Sequence, residues 1–401
     1  MTRDCRATMT RLGGRLLAVS CLLPTLQLTA QVVTATAPPA APQDWAAVAG
    51  VIAERLQLIG GEHVVLVAES GTADELVEAL LRSVRRAGGV VDGVIAARGP
   101  IPQKWRGVLS RQAEQQPMMR LTDLFKDVDV GIMLPGAVPT DAPYKAFQFQ
   151  LQRPTGRGVR TIHFHWSGAY ALSGEPIPVT PAVAELYERA LVGTDYAALG
   201  KAQRDFEAAM RAGPVRVTTP RGTDISFRID NRVVTRQDGD ASQGRAREGH
   251  TIIDREVELP AGAIRVAPVE ESVDGKIAFP DGVWGGEQVQ GLVMEFVRGR
   301  VTGFTAIGGR AGVEKELSLA GDAGRSFREF ALGFNPLLAI PTRGEPWIPY
   351  YGYGAGVVRL SLGDNSELGG KVKGGYVRWN FFTDATVTVG DKVWVQDGTM
   401  R

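Results

Sequence analysis

The sequence predicts an α/β domain, doubly wound around a mostly parallel sheet, followed by a β-rich α+β domain. Three observations carry this. Uninterrupted apolar runs alternate with helical patterns up to about residue 212. The pair Gly213-Pro214 then breaks the pattern. Beyond it lie short alternating strands separated by turn residues. The 401 residues suffice for two ordinary cores. The expected division is 44–212 and 213–401, after a leader over 1–37.

The leader reads as a secretory signal. Arg11 and Arg15 precede the apolar run LLAVSCLLPTLQLTA, and small residues follow at Thr29, Ala30, Ala35 and Ala37. Export to the periplasm or medium is therefore expected, and the run is too short to span a bilayer. Lipidation at Cys21 is disfavoured, because Ala18 stands where leucine is usual and the apolar run continues past the cysteine. Cys5 and Cys21 both lie in the leader, so the processed chain would contain no thiol for catalysis or metal binding. The charge is balanced, 45 basic against 44 acidic side chains, which argues against a nucleic-acid partner.

Asp44 is placed to cap a helix whose apolar residues are Trp45, Val48, Ile52 and Leu56. HVVLVAE, VVDGVIAAR, VDVGIML and VRTIHFHW then read as buried parallel strands with helices between them. The loop ESGTADE has one glycine and no phosphate-binding pattern, so it reads as an ordinary turn. His163 and His165 share one face of their strand, but with no nearby carboxylate or cysteine in the sequence they make a weak metal pair. Helices are expected over about Pro181 to Leu191 and Tyr196 to Met210. VRVTTP, DISFRI, TIIDREVEL, AIRVAP, GKIAFP and a hairpin in LVMEFVRGRVTGF are strands of the second half.

The last quarter concentrates charge in apolar frames. FREFALGFNP (Phe327 to Pro336) is expected to be a helix carrying Glu329. VVRLSLGDN and GGYVRWNFF are expected strands that place Arg359 and Arg378 between apolar neighbours. A charge in such a frame is costly unless an opposite charge balances it.

These segments resemble the thermophilic metallo-aminopeptidases, the family of aminopeptidase T, aminopeptidase S and aminopeptidase II. The resemblance runs in register from about Trp45 to the end. It includes YERALVGTDYAAL, VRVTTPRGTDISF, ELPAGAIRVAPVEESVDGKIAF, EFALGFNP, LSLGDN and ATVTVGDKVWVQDG. It implies an aminopeptidase T-like fold, a homodimer, and a two-metal site that activates water to hydrolyse the N-terminal peptide bond.

Carried over by position, the implied ligand set is mostly substituted. Ala263 stands at the first glutamate and Glu329 is kept. Arg359 stands at a histidine, Ser366 falls at or near a tyrosine, and Arg378 and Asn380 replace the closing histidine and aspartate. Guanidinium has no lone pair to give a metal. The expectation is therefore that no metal cofactor is held, and that Glu329 is the only ligand position left. An active relative would need two divalent ions (zinc, cobalt or manganese) on a rebuilt ligand set.

Glu329, Arg359 and Arg378 are expected to form an ion-pair cluster in the old metal position. Arg359 and Arg378 are the candidates for binding a peptide carboxylate or small anion. Three functional readings follow: a non-catalytic binding relative, an active aminopeptidase with a rebuilt site, and a structural exported dimer.

Overall fold

The structure, a computed structural model, describes residues 43–152, 156–164, 166–342 and 344–401. The leader, with its signal and lipidation readings, lies outside the described residues, as does His165. No helix among the described residues is long and apolar enough to cross a membrane.

The chain is mixed α/β, with a parallel sheet and a β-rich second region. The parallel sheet has the order Val90–Ala96, His63–Ala68, Val130–Met133, Arg160–His163, Glu256–Glu258. Val130–Met133, and His63–Ala68 after its first residue, are apolar on both faces because both faces are covered. Val64, Leu66 and Ile132 meet the helices Trp45–Leu56 and Asp74–Arg86 on one side. Val65, Val67 and Met133 meet Phe125, Tyr144 and Phe147 on the other. Asp44 caps the first helix as expected, accepting from Ala47 N at 2.9 Å. The strand that completes the sheet, Glu256–Glu258, comes from the second half of the sequence. Buried Arg160 helps to tie the halves together, donating to both oxygens of Glu62 (2.7 and 2.9 Å) and to the carbonyls of Leu56 and Ala241.

The second region is built mainly on two antiparallel sheets, with the two-stranded Gly282–Trp284 and Glu287–Val289 pair beside them. One has the order Val377–Phe382, Val358–Gly363, Phe327–Gly333, Ala263–Val266, Val234–Arg236. The other has eight strands, with Asp274–Ala278, Asp224–Phe227, Val215–Thr218 and Thr386–Val389 at its centre. Apolar residues of the two sheets make a common core, with the rings of Phe227 and Phe330 5.2 Å apart.

One expectation is overturned here. FREFALG is a strand, Phe327–Gly333, not a helix. All seven of its residues are buried, so neither helical nor strand period shows in its polarity. Antiparallel neighbours on both sides satisfy its backbone. The register shifts between Phe327 and Glu329, so that Arg328 is the extra residue of a bulge.

A strap crosses one face of this five-stranded sheet. Trp347–Ile348 pairs with Tyr170–Ala171, and the turn Tyr350–Gly352 leads into Gly354. The approach is close: a Cβ on Gly333 would lie 2.0 Å from Gly354 O. Gly333→Ala should therefore lift the strap and lower stability by about 1–3 kcal/mol. Urea unfolding of the variant beside the wild type checks this, and an unchanged midpoint would remove the close approach from the account.

Candidate functional site

The site is set by strand parity. In the five-stranded sheet Arg265 pairs with Ala331 and Ala331 with Arg359, so two arginines flank one small residue on one face. Glu329 lies two residues along the same face, in a row with Ser361 and Trp379. Both guanidiniums reach it. Arg265 donates from Nε (3.2 Å) and Nη2 (2.9 Å) to one carboxylate oxygen. Arg359 Nε (3.1 Å) and Ser361 Oγ (3.2 Å) donate to the other. Arg328 Nε stands 3.9 Å from that second oxygen. Glu329 is fully buried and Arg359 is 2 % exposed.

Burial disfavours the ionised carboxyl, but Arg265, Arg359 and Arg328 outweigh it and hold Glu329 far below the usual carboxylate range. Glu367 closes the outer side, bonding Arg328 and lying 3.4 Å from Arg265 Nη2. Arg359 Nη1 donates to Tyr351 O on the strap (2.8 Å), and its guanidinium lies 4.8 Å from the Trp379 ring.

The six positions singled out from the sequence do not form one site. Ala263 shares the face of Glu329, buried in a row with Gly333. Ser366 lies beyond the strand in an exposed turn, its Oγ donating to Asp364 at 2.6 Å. Arg378 pairs with Leu362 and Asn380 with Leu360, which puts both on the opposite face from Glu329. The expected bond between Arg378 and Glu329 is therefore not made. Arg378 instead donates to Glu316 Oε1 (2.9 Å) and lies 3.5 Å over the Trp284 ring. Asn380 donates to Leu360 O. The second cation at Glu329 is Arg265, which sequence reading missed. Its signal was present in AIRVAP, where Arg265 falls two residues after Ala263 and must share its face.

Two further carboxylates belong to the neighbourhood. Glu256 and Glu258 project from the last strand of the parallel sheet, opposite Thr161 and His163. Glu258 bonds the Tyr353 hydroxyl from the strap, and burial raises its carboxyl although Arg265 and Arg359 pull it back. Burial, with Glu367 and Glu258 adding to it, pushes Glu256 up to about 8. His163 is hydrogen-bonded to Tyr144 and to Thr161 Oγ1 (2.9 Å), with Glu256 3.8 Å away. Among the described residues no group of three or more His, Cys, Asp or Glu side chains is arranged to hold a metal ion. The donor chemistry at Glu329 does not fit one either, because the groups facing its carboxylate are cations.

The fold is distantly aminopeptidase-like. Wild-type AmpT from Thermus thermophilus superposes with a TM-score of 0.54 at 16 % identity, covering 89 % of this chain and 98 % of that one. A 2,5-dihydroxypyridine dioxygenase from Pseudomonas putida KT2440 superposes with a TM-score of 0.58 at 14 % identity, covering 90 % and 98 %. No family model and no curated protein matches the sequence. Since one neighbour is a peptidase and the other an oxygenase, the shared fold does not select a chemistry.

Arg265→Leu should cost about 3 kcal/mol, because it leaves a buried carboxylate under-compensated. The native Glu329 carboxyl is depressed, so its contribution is present above the unfolded value near ~4.3 and lost as pH falls below it. The variant should unfold at higher pH in an acid titration followed by circular dichroism. Glu256 has the opposite sign: the folded chain keeps a proton that the unfolded chain releases, so stability falls as pH rises from ~4.3 to about 8. Glu256→Gln should flatten that fall, read as a smaller loss of Tm between pH 5 and pH 8 than in the wild type.

Proposed function

We propose that this chain is an exported, homodimeric member of the metallo-aminopeptidase family that binds a peptide or small anionic ligand without hydrolysing it. The reading is carried by the Glu329 carboxylate, whose two oxygens are engaged by Arg265 and Arg359. Guanidinium supplies the positive charge that a metal would bring, but it offers no coordination position for water and no path to a bound hydroxide. The in-register motifs and the remote likeness to AmpT support the peptidase ancestry, and the pattern of the first 37 residues supports export.

A ligand role is favoured over a purely structural cluster by one atom. Arg359 Nη2 is buried and has no hydrogen-bond partner among the described residues. An unmet charged donor in the interior is costly, and an anionic oxygen would satisfy it.

Elemental analysis of the purified chain after incubation with zinc, cobalt or manganese, beside hydrolysis of leucyl and arginyl substrates, tests the proposal. The expected result is no stoichiometric metal and no turnover. About two ions per chain with metal-dependent hydrolysis would overturn it in favour of an aminopeptidase with a rebuilt site.

A further inference from the structure

A second unmet donor stands beside the first. Trp379 shares the face of Arg359, the two are stacked, and its indole Nε1 is also buried with no hydrogen-bond partner among the described residues. The strap over them is held in a conformation that bulky residues seldom adopt. Tyr350 and Tyr351 are consecutive left-handed residues, with φ of +32° and +55°. The segment that clasps the strap has a third, Trp166 at +49°. Tyr351 N donates to Gly168 O (2.7 Å), and the Tyr351 and Ser167 hydroxyls are 2.9 Å apart.

The charges limit what the two donors can take. Arg265, Arg328 and Arg359 face the Glu329 and Glu367 side chains, three guanidiniums against two carboxyl groups. Glu258 is occupied by the Tyr353 hydroxyl, and burial works against its ionisation. A single negative charge balances the three guanidiniums against Glu329 and Glu367. A phosphate would bring up to about two charges, more than the single positive charge left over, and would bury the excess beside carboxylates.

Building on the anion-binding reading above, we propose that the site under the strap takes a monocarboxylate, one oxygen on Arg359 Nη2 and the other on Trp379 Nε1. The strap residues Tyr350 to Tyr353 open to admit it and close over it. Arg359 supplies the charge, and Trp379 supplies the second point that selects a planar two-oxygen group.

The test is a titration of the purified chain with acetate, benzoate and inorganic phosphate at matched ionic strength, read by thermal shift and tryptophan fluorescence. Saturable stabilisation by a carboxylate is expected, with phosphate at least about tenfold weaker. Trp379→Phe keeps a ring but removes the donor, and should weaken carboxylate binding about tenfold. Arg359→Lys keeps the charge but loses the fork, and should weaken it as well. Phosphate binding as tightly as carboxylate, or Trp379→Phe without effect, would overturn the monocarboxylate assignment and leave the broader anion reading standing. No binding of any of the three would overturn both.

Discussion

A buried carboxylate cannot stay ionised unless positive charge is brought to it, and in this chain the β-sheet brings that charge from both sides. Glu329 lies on the middle strand of five, and the strands on either side each contribute an arginine aimed at it. The arrangement is possible because Ala331 is small enough to let two guanidinium stems pass on the same face. Ser361 and the outer pair of Arg328 with Glu367 complete the set. Removing one member would leave the others buried and mismatched, which makes the group cooperative.

This requirement also organises what surrounds the sheet. At its centre the opposite face is apolar, with Ile264, Phe330, Leu332, Leu360 and Leu362 in a common core with the eight-stranded sheet, so that the Glu329 cluster lies on one side. That side is closed by the strap, which contributes Tyr351 O to Arg359 and the Tyr353 hydroxyl to Glu258. Glu258 comes from the last strand of the parallel sheet, so the cluster draws on both regions of the fold. Arg378 illustrates the same rule on the other face, where a charge entering an apolar environment is met by its own carboxylate, Glu316, and an aromatic ring.

The architecture was legible wherever pattern and punctuation agreed. HVVLVAE, VDVGIML and VRTIHFHW mark the parallel strands and Asp44 marks a helix start, whereas TIIDREVEL, expected among the strands of the second half, supplies Glu256–Glu258 to the parallel sheet. FREFALG was not legible, because burial on both faces erases the polar alternation that distinguishes a strand from a helix. That misreading propagated. With Glu329 on a helix, nothing fixed which strand faces it, and Arg378 looked as suitable as Arg359. Once Phe327–Gly333 is a strand, pairing register decides: Arg359 and Arg265 fall on its polar face and Arg378 does not. The contributions of Glu258 and Tyr353 depend on contacts between segments far apart in the sequence, which no local pattern reports.

On the function proposed above, the relation between this site and a metal centre is one of charge rather than of ligands. A divalent pair stabilises clustered carboxylates and also leaves coordination positions open for water. Arginines stabilise the carboxylate and surround it with donors, and on the proposed function they keep the electrostatic role without the reactive water. The leftover capacity is different in kind. Where a metal offers an empty coordination position to a lone pair, Arg359 offers an unmet N–H to an anion. On the function proposed above, guanidinium in the place of metal changes what the fold holds, from a bond to be broken to an acid to be bound.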